Sequence, residues 1–117
     1  MARDPRSLLW DASSSGQAIE RFLAAKTFDD YLNDEILRAA VERQFEILGE
    51  ALFQLDKQRS DLVAQLPGAA RAIAFRNVLI HGYARVDDAI VWEAAQRSLP
   101  SLLHALADLS AEIGGQS

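Results

Sequence analysis

Between Arg76 and Tyr83 the chain reads Arg-Asn-Val-Leu-Ile-His-Gly-Tyr, which brings a guanidinium, an amide, an imidazole and a phenol into one short stretch. Those groups can run phosphate-ester chemistry between them. A neutral imidazole at His81 can take the proton from an RNA 2′-hydroxyl, and its protonated form can give one to the leaving oxygen. The guanidinium of Arg76 can hold the scissile phosphate and offset the charge that builds up in the transition state. Neither role needs a metal ion or other cofactor. Asn77 can orient the imidazole or bind substrate, and Tyr83 can hydrogen-bond a phosphate or stack on a base.

On a helix, Asn77 and His81 are four apart and share a face. Arg76 and His81 are five apart, about 140° around the axis, so they do not stack, but a long arginine can curl toward the same cleft. Val78, Leu79 and Ile80 lie between the polar residues and are expected to anchor the segment in a core. Tyr83 follows Gly82, where the chain should leave the helix. The same spacing also fits a structural reading: Arg76 pairs with an acid across the fold, His81 caps a helix end, and Tyr83 is a rim aromatic.

Composition narrows the classes. The chain has 117 residues, half of them hydrophobic and a quarter charged, as in an ordinary globular domain. We expect one domain over 1–113 and a flexible tail over 114–117. There is no cysteine, which excludes a disulfide framework or thiolate site. His81 and His104 are the two histidines, too few for a histidine-based zinc site unless carboxylates complete it. No apolar run is long enough to cross a bilayer. The first residues lack the apolar core of a secretory signal, so the expected compartment is the cytoplasm. The net charge of −5 argues against coating nucleic acid nonspecifically, which runs on many Lys and Arg contacts to phosphate. A local arginine cluster gripping one phosphate remains compatible with it.

Helical periodicity recurs along the chain and strand signals are nearly absent. Asp4 before Pro5 starts a helix expected to reach about Lys26, with a seam of Leu8, Ala12, Ser15, Ile19, Phe22 and Lys26. Thr27 and Asp30 form a capping box for a short turn ending at Leu32. Asn33 or Asp34 caps a long helix to about Lys57, with a stripe of Leu37, Val41, Gln44 or Phe45, Leu48, Leu52 and Leu55. Ile36, Ala40, Ile47 and Ala51 widen its apolar face. Gly49 inside that helix costs roughly 1 kcal/mol relative to alanine, which suggests a close helix crossing. Ser60 caps a turn through Ala64, and Pro67 opens a helix that stops at Gly82. Asp87 caps the last helix, with Val86 and Val91 as a hydrophobic staple, and Pro100 must kink or split that helix. The fold predicted is all-α: an antiparallel up-and-down four-helix bundle with one or two extra short turns and a kinked last helix.

With those landmarks in place, the chain resembles the HepT-like proteins, minimal HEPN toxins encoded beside an MNT-type nucleotidyltransferase antitoxin. The resemblance covers nearly the whole chain. It is carried by Arg3-Asp4-Pro5, Leu48-Gly49-Glu50-Ala51, Val91-Trp92, Leu99-Pro100 and, above all, a complete Arg-x4-His-x-Tyr signature at Arg76, His81 and Tyr83. The segment Leu66-Pro67-Gly68-Ala69-Ala70 departs from the family in lacking its common Pro-Trp pair. The resemblance implies a HEPN bundle and a metal-independent endoribonuclease that acts as a homodimer, with two motifs meeting at a cleft. It implies Arg76 and His81 as the catalytic pair and Asn77 in support. It also implies Tyr83 as the site where the partner nucleotidyltransferase adds adenylate, blocking access of RNA. Any basic cleft would then be local, formed by Arg76 and Arg85 from two chains.

Other residues have simpler expected roles. Glu50 is expected to pair with Arg76 or orient it, whereas Glu46 is expected on a solvated acidic face. Trp10 and Trp92 are expected in the core or an interface, and His104 on a polar or partly buried helix face. Two further functional classes stand beside the ribonuclease: a non-catalytic helical module that binds a nucleotidyltransferase, and a purely structural bundle.

Overall fold

The computed structural model describes residues 3–82 and 86–114. Helix α1 spans Pro5–Leu23, α2 Phe28–Leu32, α3 Glu35–Gln58, α4 Ser60–Val63 and α5 Ala69–His81. Helix α6 spans Asp88–Glu93, a π-helical turn Ala94–Ser98, and α7 Leu99–Gly114. No strand occurs among the described residues. Helix α3 packs against both α1 and α5, and α7 packs against α1.

Side-chain caps decide where most helices begin. Asp4 accepts from the Arg6 backbone N–H at 2.8 Å, with Pro5 at the first helical position. Thr27 and Asp30 exchange both bonds of the capping box, at 3.1 and 2.8 Å. Asp34, rather than Asn33, caps α3 by accepting from Leu37 N–H, and Asp87 caps α6 by accepting from Ala89 N–H. Each of these bonds satisfies an N–H that the helix itself leaves unpaired.

Several boundaries differ from those expected. Helix α1 ends at Leu23, and Ala25 takes a left-handed φ of 61°, so Lys26 lies beyond the seam. Pro67 sits in a turn and does not open α5, which begins at Ala69 after Gly68 turns the chain with φ 81°. Ser60 is the first residue of α4, with Arg59 before it as the cap. Gly114, expected in the tail, is the last residue of α7. The last helix, expected to be kinked or split by Pro100, is divided into α6 and α7 by the π-helical turn that ends two residues before it. The proline ring crowds the carbonyl four residues back, and the wider turn at Ala94–Ser98 opens the coil just there.

The core is built mainly from Leu8, Ile19, Val41, Leu48, Leu52 and Leu106, each almost fully buried, so α1, α3 and α7 all contribute. At neighbouring Gly16, an added Cβ would stand 2.5 Å from Leu103 Cδ2, so α1 and α7 meet tightly through a small residue. Apolar positions expected to face inward do not all do so. Ile36 is 82% exposed, Ile90 60%, and Trp10 69%, which removes Trp10 from the core. Trp92 does pack inward, 5.8 Å from Tyr31 and 5.9 Å from Phe28 between ring centroids.

Candidate active site

Helix α5 carries the motif on a thinly covered helix: Ala69 is its one buried residue. Leu79 and Phe75 pack partly on the core, and Phe75 stacks on Phe45 of α3 with centroids 5.2 Å apart. Val78 and Ile80 are not anchors, being 55% and 47% exposed. They flank His81 as open apolar surface. Among the described residues the segment is held mainly by α3.

That hold is closest at Gly49. A Cβ there would come within 2.3 Å of the Arg76 Cβ and 2.7 Å of the Ala72 carbonyl oxygen. Only a residue without a side chain lets the two backbones approach this far. The crossing seats the root of Arg76 directly on α3.

The head of Arg76 is fixed as firmly. One terminal nitrogen lies 2.6 Å from Glu50 Oε2, and the other donates to Asn77 Oδ1 at 2.6 Å. The guanidinium carbon stands 4.7 Å from the centre of the Phe53 ring, within cation–π range. The side chain is only 17% exposed and its Nε is buried. Glu50 is held in turn by Gln54, whose amide donates to Oε1 at 2.9 Å. The Gln54 hydrogen bond, with Arg76 and Lys57 behind it, pulls the Glu50 carboxyl below its ordinary range against the cost of burial. A carboxylate that stays charged keeps the guanidinium in one orientation.

His81 is the last residue of α5 and is exposed. Gly82 ends the helix with φ 52°, and its N–H reaches back to the Val78 carbonyl. Among the described residues the His81 side chain makes no hydrogen bond or ion pair, so both ring nitrogens are available. His81 lies five positions from Arg76, about 7.5 Å of helical rise. Tyr83 and Arg85 lie outside the described residues.

Of the residues singled out in the sequence, Arg76, Asn77 and Glu50 are brought into direct contact. His81 is on the same helix end but not bonded to them. Arg76 does pair with an acid on another helix, as the structural reading had it, and that pair also points the guanidinium. Glu46 pairs with Arg43 of its own helix at 2.9 Å, and His104 is exposed on α7. Sequence reasoning passed over Phe53, Gln54 and Lys57. Their intervals of three, four and seven from Glu50 mark one helical face and would have pointed to them. Among the described residues, no group of three or more His, Cys, Asp or Glu side chains could hold a metal ion.

Comparison with known proteins places this geometry in a family. A family model described as Ribonuclease HepT-like matches residues 13–109, from within α1 to near the end of α7. The "Probable ribonuclease HepT" of Thermococcus cleftensis is 32% identical over 102 residues, 87% of this chain and 92% of its own. "Putative RNase MJ0127" of Methanocaldococcus jannaschii is 29% identical over 116 residues, 97% of this chain and 93% of its own. No solved structure matches the chain. An all-helical chain with an anchored arginine and an open histidine on one helix, matched along most of its length by that model, belongs to the HepT-like ribonuclease family.

Proposed function

We propose that this chain is a metal-independent endoribonuclease in which Arg76 and His81 form the catalytic pair. The observation that carries this reading is the triple hold on the Arg76 guanidinium by Glu50, Asn77 and Phe53, beside a histidine left uncommitted. His81 takes the proton from the attacking 2′-hydroxyl and then, protonated, gives one to the leaving 5′-oxygen. Arg76 binds the phosphate between them and offsets the charge of the transition state, at no cost of reorientation. Asn77 and Glu50 keep it in place.

The finer reading is that of a toxin with a cognate nucleotidyltransferase antitoxin. A second copy of the chain would cover the open apolar surface of Val78 and Ile80 and bring two motifs to one cleft. Adenylate added to the Tyr83 hydroxyl would put negative charge where substrate phosphate must sit, silencing the site.

Cleavage of labelled RNA by purified chain, with and without chelator, tests the activity. Arg76→Ala and His81→Ala should each abolish cleavage and growth inhibition; full activity in His81→Ala refutes the assignment. For the modification, intact mass after co-expression with the partner should rise by whole adenylate units, and Tyr83→Phe should remove them. Tight partner binding without RNA cleavage under any condition would favour the binding-module alternative.

A further inference from the structure

The face of α3 that carries Glu50 also carries a second cation toward the motif. Lys57 Nζ stands 4.5 Å from the centre of the Phe53 ring, the same ring that lies 4.7 Å from the Arg76 guanidinium. Lys57 also lowers the Glu50 carboxyl electrostatically, so ammonium, carboxylate and guanidinium share one neighbourhood. Five arginines elsewhere among the described residues are committed to acids. Arg3, Arg6, Arg38, Arg43 and Arg59 are each ion-paired with Asp11, Asp4, Asp88, Glu46 and Asp61. Lys57 is exposed and, among the described residues, forms no ion pair and no hydrogen bond. It is positioned by an aromatic ring and chemically free.

We propose that Lys57 is a second phosphate anchor for the RNA substrate, taking a backbone phosphate next to the one held by Arg76. Phe53 is the shared seat of the two cations. This rests on the ribonuclease reading above. An ammonium is a compact charge with three rotatable donors, suited to a phosphate whose direction varies with the strand. Arg76, gripped on several sides, supplies the fixed point. In a chain of net charge −5, a free cation beside the motif arginine supplies attraction for phosphate at the site itself. Phe53 acts through Arg76 and Lys57, which makes it a positioning residue.

Binding of a fluorescein-labelled, single-stranded 2′-O-methyl RNA reads this without cleavage, because the attacking hydroxyl is blocked. Lys57→Ala should weaken Kd roughly ten-fold at low salt, as the loss of a charge-assisted contact does. The plot of log Kd against log salt should become shallower by about 0.7, the share of one phosphate on a single strand. Lys57→Arg should restore both. With cleavable RNA, Lys57→Ala should raise KM and leave kcat within about two-fold, whereas Phe53→Leu should lower kcat as well. An unchanged Kd and salt slope in Lys57→Ala overturns the proposal, as does a Lys57→Arg variant no better than alanine. Failure of the catalytic reading shows elsewhere, as cleavage that survives His81→Ala.

Discussion

Replacing Gly49 by alanine should disarm the site without touching any of its polar groups. The new methyl would lie 2.3 Å from the Arg76 Cβ, 2.7 Å from the Ala72 carbonyl oxygen and 3.1 Å from the Arg76 Cγ. Carbon atoms rest at about 3.5–4.0 Å, so α3 and α5 must part by roughly 1.5 Å. Rotation of a side chain cannot relieve this, because the Cβ and carbonyl move only with the backbone. Overpacking of this kind costs about 1–3 kcal/mol, and alanine returns about 1 kcal/mol over glycine inside a helix. The net destabilisation is about 1 kcal/mol, which lowers Tm by about 4 °C in a domain of this size. Activity should suffer far more than stability. A catalytic group displaced by about 1 Å can lose about 100-fold in rate. Thermal unfolding by circular dichroism and initial rates of RNA cleavage at 25 °C, where the variant stays folded, measure the two effects separately. A higher Tm would refute the tight crossing. A lowered Tm with undiminished cleavage would refute the claim that the crossing sets the position of Arg76.

Glu50→Gln keeps the shape of the anchor but removes its charge, and kcat should fall roughly ten-fold with little change in fold, measured by single-turnover cleavage. The Glu50 carboxyl is held below its ordinary value of 4.5, first by Gln54 and then by Arg76. Its contribution to stability is therefore present above that value and lost as pH falls through the lowered one, so the Tm gap to Glu50→Gln should close only in acid. Glu42 shows the opposite sign: burial, with Asp88 nearby, raises its carboxyl above 4.5 despite Arg38. Its contribution is lost as pH rises through that raised value, so Glu42→Gln should melt higher than the parent at pH 7 and lose the advantage near pH 4. Thr27→Ala removes the acceptor of the Asp30 N–H and should cost about 1 kcal/mol in chemical denaturation, with cleavage unaffected.

Local chemistry made the helix starts legible. Asp4, Thr27, Asp34 and Asp87 announce them because a side chain reaches a backbone N–H two or three residues away, whatever else the chain does. The end of α1 was harder, since Ala24-Ala25-Lys26 contains nothing that refuses a helix, and the left-handed turn at Ala25 comes from the path the chain must take into α2. Exposure was the least legible property. Ile36, Val78 and Trp10 look like core residues by type, but their burial depends on whether another element covers that side, and none among the described residues covers them. The site divides along the same line. Arg76, Asn77 and His81 were readable from spacing on one helix. The contacts of Glu50 and Phe53 with Arg76 cross from α3 to α5; the Glu50 contact was expected and Gly49 suggested a close crossing, whereas nothing read in the sequence pointed to Phe53.

A guanidinium carries five N–H bonds. In Arg76 one is spent on Asn77 and one on Glu50, and the one on Nε is turned inside the protein. One hydrogen is left on each terminal nitrogen. If Arg76 binds phosphate as proposed, those two hydrogens are what it has to offer without evicting Glu50. Because the carboxylate already cancels much of the positive charge, small anions in the surrounding solution are drawn only weakly. In the proposed role, selection at Arg76 would then work by direction more than by pull, leaving the site open for a strand that arrives correctly aligned.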